Sequence, residues 1–180
     1  MSEGREGMAD EMRQPIRSHP ARRLAMAALF AAFAAASPAP AQKAGGAVAF
    51  VVNARNPVSE VTSAQLRRIY LGDETRWSGQ EKITILLLPA GREERRKLFD
   101  HLLKMSDDDY VRHWIGKVFQ GEATSGPKTA SSSASMAKLV AGLSGAIGFL
   151  SAEEAAADAS VKVLRVDGKA PGERGYPFGP

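Results

Sequence analysis

The chain predicts an α/β fold in which a mixed or mostly parallel sheet is flanked by helices. Two runs, AVAFVV from Ala47 to Val52 and ITILLLP from Ile83 to Pro89, are nearly continuous in apolar and β-branched residues. That is the pattern of strands covered on both faces. Elsewhere apolar residues recur three and four positions apart, which is helical spacing. Strand-like and helix-like segments follow one another as β, α, β, α, α, α, β, α, β, and such alternation favours an α/β sandwich.

Each segment has its own justification. The first 23 residues carry Arg5, Arg13, Arg17, Arg22 and Arg23 and lead into the apolar run from Leu24 to Ala36. A basic flank, a short apolar run and the pattern Ala39-Pro40-Ala41 are the marks of a secretory signal cut after Ala41. The run is shorter than the roughly 20 residues a membrane-spanning helix needs. Residues 1–41 are therefore expected to direct export to the periplasm by general secretion and to be removed. Residues 42–180 would remain as one domain, with a core of about 47–166 and a turn-rich tail, 167–180.

After Ala47–Val52, the residues Asn53 to Pro57 break the first strand. Thr62 and Gln65 are spaced as a capping box, and a helix is expected from about Ser63 to Tyr70, closed by Gly72. Pro89 and Gly91 stop the second strand. Leu98, Leu102 and Met105, with Phe99 and Leu103 beside them, predict a helix over Arg92–Met105. Ser106 and Asp109 open another, ending at Gly121. EATSGPKTASSSAS reads as a long surface loop running into the helix SMAKLVAGL. A strand at Ala146–Leu150, a brief capped helix SAEEAAAD and a last strand at Val161–Val166 complete the order.

Composition excludes several functions. Of the 24 Lys and Arg, 19 follow Ala41, with 16 of the 20 Asp and Glu. So even a balance gives no argument for nucleic acid. There is no cysteine, hence no thiol chemistry, disulfide or Cys-based metal site. His101 and His113 lie on different expected helices without a nucleophile or a second ligand at metal spacing. The run Asp107, Asp108, Asp109 lacks the alternation and the glycine of a calcium loop, and suits the positive end of a helix dipole. No cofactor, metal or catalytic residue is assigned, and an enzyme is not expected. Trp77 is expected to pack over the neighbouring strand end and Trp114 to lie in the core.

One corner stands out. PAGREERR, Pro89 to Arg96, joins a strand end, a glycine turn, a helix start and three arginines. Free backbone N–H groups and the helix dipole favour an anion there, and Arg92, Arg95 and Arg96 could add charge-assisted hydrogen bonds. Gly91, Arg92, Arg95 and Arg96 are therefore the candidate ligand-binding residues. The plainer reading is a solvated helix face on which Glu93 pairs with Lys97.

NPVSEVTSAQLRRIYLGDETRW, the strand ITILLLP, the helix containing Phe99, YVRHW, VFQG and the late SGAIGFL together resemble the substrate-binding protein of the phosphate ABC transporter. The resemblance covers about Asn53 to Leu150. It implies a single lobe of a type II periplasmic binding protein, a small oxyanion such as phosphate as ligand, and a transporter membrane complex or a second chain completing the cleft as partner. In full receptors of this kind the corresponding corner carries an Arg and a Ser, Gly and Thr cluster. Aligned without gaps on Phe99, those positions are Pro89, Glu93, Glu94 and Arg95, so two acids stand where an anion would sit. Only about five residues separate the expected cleavage point from the first strand. The resemblance implies solute binding without catalysis; the rival is an envelope interaction module that kept the lobe and lost the ligand.

Overall fold

The fold, a computed structural model, is described over residues 46–78 and 81–179. The expected secretory segment, residues 1–41, lies outside the described residues. Strand β1 (Val48–Asn53) is buried at all six positions, as its unbroken apolar run requires. After β2 (Glu60–Val61), helix α1 (Ser63–Leu71) starts at Thr62, whose side chain accepts a hydrogen bond from the Gln65 amide at 3.0 Å. The Gln65 side chain turns instead to Glu74, at 2.7 Å. Gly72 closes the helix in the left-handed region, φ 75°, and a Cβ there would stand 2.6 Å from the Trp114 ring. Conformation and space both demand glycine.

Strands β3 (Arg76–Trp77) and β4 (Glu81–Lys82) form a small antiparallel ribbon before β5 (Thr84–Leu87), the second core strand. The helix expected over Arg92–Met105 is divided into α2 (Glu93–Lys97) and a π-helical stretch, Leu98–Leu103. Leu98, Phe99, Leu102 and Leu103 are all buried. The wider π turn brings these four, spaced one and four apart, onto one face. Helix α3 (Asp107–Phe119) follows, with Ser106 as its cap.

Within the segment expected to be only a loop, β6 (Lys128–Thr129) pairs with β5. Helix α4 (Ser133–Gly142), strand β7 (Ala146–Ser151) and helix α5 (Ala152–Ala157) come next. The expected last strand is divided into β8 (Val161–Val163) and β9 (Arg165–Val166), because β9 leaves the main sheet to pair with β2.

The main sheet has the order β6-β5-β7-β1-β8. Strand β5 is parallel to β6 and β7, whereas β1 is antiparallel to both β7 and β8. The sheet is therefore mixed, with β1 running against the other four. Asn53, at the end of β1, is buried and donates to the Val140 and Ala141 carbonyls at 3.0 and 2.7 Å, tying the strand to the end of α4. Among the described residues no helix is long and apolar enough to cross a membrane.

The turn-rich segment after residue 166 is part of the core rather than an appendage to it. Tyr176 and Phe178 are buried; the Tyr176 hydroxyl donates to the Val48 carbonyl at 2.8 Å, and the Val48 amide donates to the Phe178 carbonyl at 2.9 Å. The Phe178 ring meets Phe50 edge to face, 5.0 Å between centroids. Truncating it removes a buried aromatic from the first strand, so Phe178→Ala should cost about 3 kcal/mol. Urea unfolding, monitored by Trp77 and Trp114 fluorescence, measures this.

Candidate functional site

Because β5, β6 and β7 are parallel, their carboxyl ends lie along one edge of the sheet. From that edge the chain enters α2, α4 and α5, capped by Arg92, Ser132 and Ser151 respectively. Helix starts carry free N–H groups and the positive end of the dipole, so this corner favours negative charge.

Gly91 makes the turn into α2 with φ 86° and has open space around it. Arg92 then reaches across all three helix starts. Its guanidinium donates to Glu94 at 3.2 and 3.3 Å and to the Ser133 hydroxyl at 2.9 Å, and it lies 3.5 Å from a Glu154 carboxylate oxygen. Glu154 also forms a reciprocal capping box with Ser151. Partial burial works against its charged form, yet hydrogen bonds from Ser133 and Ser151 and the Arg92 charge outweigh this and hold the Glu154 carboxyl below its ordinary value. A depressed folded-state pKa means that the stabilisation is present above the ordinary glutamate value, about 4.3, and is lost as pH falls through the lower one. The chain thus sets two of its own carboxylates, bridged by Arg92, at the corner where an external anion would be favoured.

The other two arginines point elsewhere. Arg95 is buried beneath the helix; it donates to Asp107 at 2.9 and 2.6 Å and to the Leu88 carbonyl at 2.6 Å, and its guanidinium lies 5.2 Å from the centre of the Phe99 ring. The first acid of the Asp107–Asp109 run is thereby used to anchor α3 to α2. Arg96 is exposed, with no side-chain partner among the described residues. The structure therefore brings Gly91 and Arg92 to the corner and sends Arg95 inward and Arg96 to solvent. Glu93 pairs with Lys97 at 3.2 Å, as a solvated helix face would have it.

Ser133 and Glu154 are the corner residues that the sequence reading missed as site members. The serine run reads as loop and the SAEEAAAD segment as a capped helix, and their meeting at Arg92 depends on the parallel arrangement of three strands. His113 meets the Leu71 carbonyl at 2.8 Å and packs edge-on to Trp114. Trp77 is buried, and its indole N–H donates to the Gly145 carbonyl at 3.0 Å. No group of three or more His, Asp or Glu that could hold a metal ion occurs among the described residues.

No protein-family model and no curated protein matches the chain. Solved structures do. An ABC-type phosphate transport receptor from Vibrio cholerae matches at 24% identity with a TM-score of 0.55, covering 69% of this chain and 48% of the receptor. A structure from Clostridium perfringens with bound phosphate, described as a phosphate ABC transporter substrate-binding protein, matches at 23% identity and a TM-score of 0.55, covering 69% and 46%. PstS from Borrelia burgdorferi matches at 13% and 0.50, covering 69% and 49%. The chain thus shares its fold with part of each and spans about half the length of the structures it matches.

The buried Arg95 and the exposed Arg96 make different contributions to stability. Arg95→Ala removes a buried guanidinium, its carbonyl partner's hydrogen bond and the packing on Phe99, so it should destabilise by about 2–3 kcal/mol. Arg96→Ala should stay within about 0.5 kcal/mol of the parent, as an exposed substitution does. Parallel urea titrations of the two variants distinguish them.

Proposed function

We propose that this protein is a periplasmic solute-binding-type domain, related to the phosphate ABC transporter receptors whose fold it shares, and that it takes a small oxyanion such as phosphate without performing catalysis. The observation that carries the reading is the meeting of three helix starts and the Ser133 hydroxyl at Arg92, on the carboxyl edge of parallel strands. Ligands of open α/β sheets bind at that edge. Residues 1–41 act as the export signal in this reading, and a transporter membrane complex is the partner to which the ligand is delivered.

Glu94 and Glu154 set the affinity. An incoming oxyanion must take over Arg92 from both carboxylates, and the open corner buries little of it, so binding is weak unless a second chain covers it. Protonating Glu154 removes its share of the competition. Sulfate keeps its charge through mildly acidic pH, so its binding should strengthen as pH falls below the ordinary glutamate value of about 4.3, where Glu154 begins to lose its charge.

Isothermal titration of the purified protein with phosphate and sulfate tests this. We expect weak binding that Arg92→Ala abolishes. Glu94→Gln and Glu154→Gln should each tighten it about tenfold, close to 1.4 kcal/mol. Absence of heat with either anion, in the parent and in both glutamine variants, would overturn the reading in favour of an envelope interaction module.

A further inference from the structure

Four of the five large apolar side chains that stand exposed among the described residues lie on one helix: Val111 (52% exposed), Ile115 (50%), Val118 (41%) and Phe119 (88%), all on α3. Their spacing of four, three and one is that of a continuous stripe. The stripe borders a groove of about 340 Å³ whose far wall includes Leu87, Pro127 and Thr129, at the β6 edge of the sheet.

Within the same helix sits Gly116. Glycine is disfavoured inside a helix. At two other positions the fold asks for it by contact, since a Cβ at Gly72 would strike Trp114 and one at Gly148 would stand 2.4 Å from the Met136 sulfur, and Gly142, whose Cβ position is open, is the last residue of α4. At Gly116 nothing lies within 4 Å of where a Cβ would be. No contact inside the chain calls for the missing side chain. Arg112, Ile115, Gly116 and Phe119 occupy positions i, i+3, i+4 and i+7, the four corners of a hole that accepts a side chain from a facing helix. Gly116 leaves one corner of that hole without a side chain, and a prominent aromatic knob, Phe119, forms another.

We infer that this face of α3 is a self-association surface, on which a second copy of the chain docks through its own α3. A two-fold axis lets each Phe119 enter the other copy's notch at Gly116, so one patch supplies both complementary shapes. The four apolar side chains expose roughly 400 Å² per copy, within the size range of the largest apolar patch on a monomer, which is often an interaction site. Doubled by symmetry and extended over the polar rim of Arg112 and Gln120, the buried area comes near the ~1,200 Å² at which specific interfaces begin. The charges alongside are already neutralised within the copy. Asp107 pairs with Arg95, Asp109 with Arg112, and Lys117 with Asp73 and Glu122. The edge strand offers no competing contact, since β6 has two residues and follows Pro127, which lacks an N–H to donate. Arg92 finds its partners on α2, α4 and α5, so the surface is independent of the anion corner.

Sedimentation velocity over a concentration series of the purified protein tests the inference. A dimer fraction that rises with concentration is expected. Phe119→Glu should weaken association about a hundredfold and Gly116→Leu about tenfold. Gly116→Leu keeps the fold under control, because leucine is the better helix former and has open space to occupy. Its melting temperature should equal or exceed that of the parent while association falls. A monomer at every concentration overturns the inference, as does a dimer that Gly116→Leu leaves unchanged. Retention of the monomer together with binding of a small amphiphile or of another protein to α3 also overturns it.

Discussion

Everything in this domain is organised around β1 running the wrong way. Its six residues are buried on both faces, and both of its edges are hydrogen-bonded to strands of opposite direction. An apolar strand with no free edge can sit only in the middle of a sheet, and placing it there decides where everything else goes. Strands β7 and β8 flank it, the Ala47 carbonyl accepts from Ala152 at the start of α5, and Phe178 closes over it from the far end of the chain. The parallel group β6, β5 and β7 is then confined to one side, which gathers three helix starts along a single edge.

That edge has an electrostatic preference which the chain partly satisfies by itself. Arg92 neutralises the first-turn acids, while the same acids relieve a guanidinium that would otherwise stand against the positive ends of helices. A corner built this way trades affinity for internal balance. The inner pair is of another kind. Arg95 and Asp107 fasten α2 to the start of α3, and the Leu88 carbonyl fixes the guanidinium to the end of the core strand. Two arginines three residues apart on one helix thus serve different ends because they face different layers.

Much of this was legible in the sequence. The buried strands at Ala47–Val52 and Ile83–Pro89, the caps at Thr62, Ser106 and Ser151, and the burial of Trp77 and Trp114 all follow from local pattern, since an apolar run or a capping spacing acts within a few residues. What stayed hidden depends on distant partners. Strand β6 is two residues in a polar stretch and exists only because β5 lies beside it. The division at Leu98 is invisible to periodicity, because a π turn accommodates the same apolar residues a helix would. The tail reads as turns, and only the position of Phe50 makes Phe178 a core residue. At the site, Gly91 and Arg92 could be found from the strand-glycine-helix junction. Ser133 and Glu154 could not, being 41 and 62 positions further along the chain, and the inward path of Arg95 required knowing that α3 begins beneath it.

The place of β1 also has a temporal side. It precedes every strand that holds it in the main sheet: Phe50 pairs with Phe149 and Val51 with Val163, about a hundred residues later. A polypeptide threaded through a narrow opening amino end first would therefore emerge with its most water-averse strand unprotected. Only when the final segment arrives can the centre of the sheet close, so the domain folds late and as a unit.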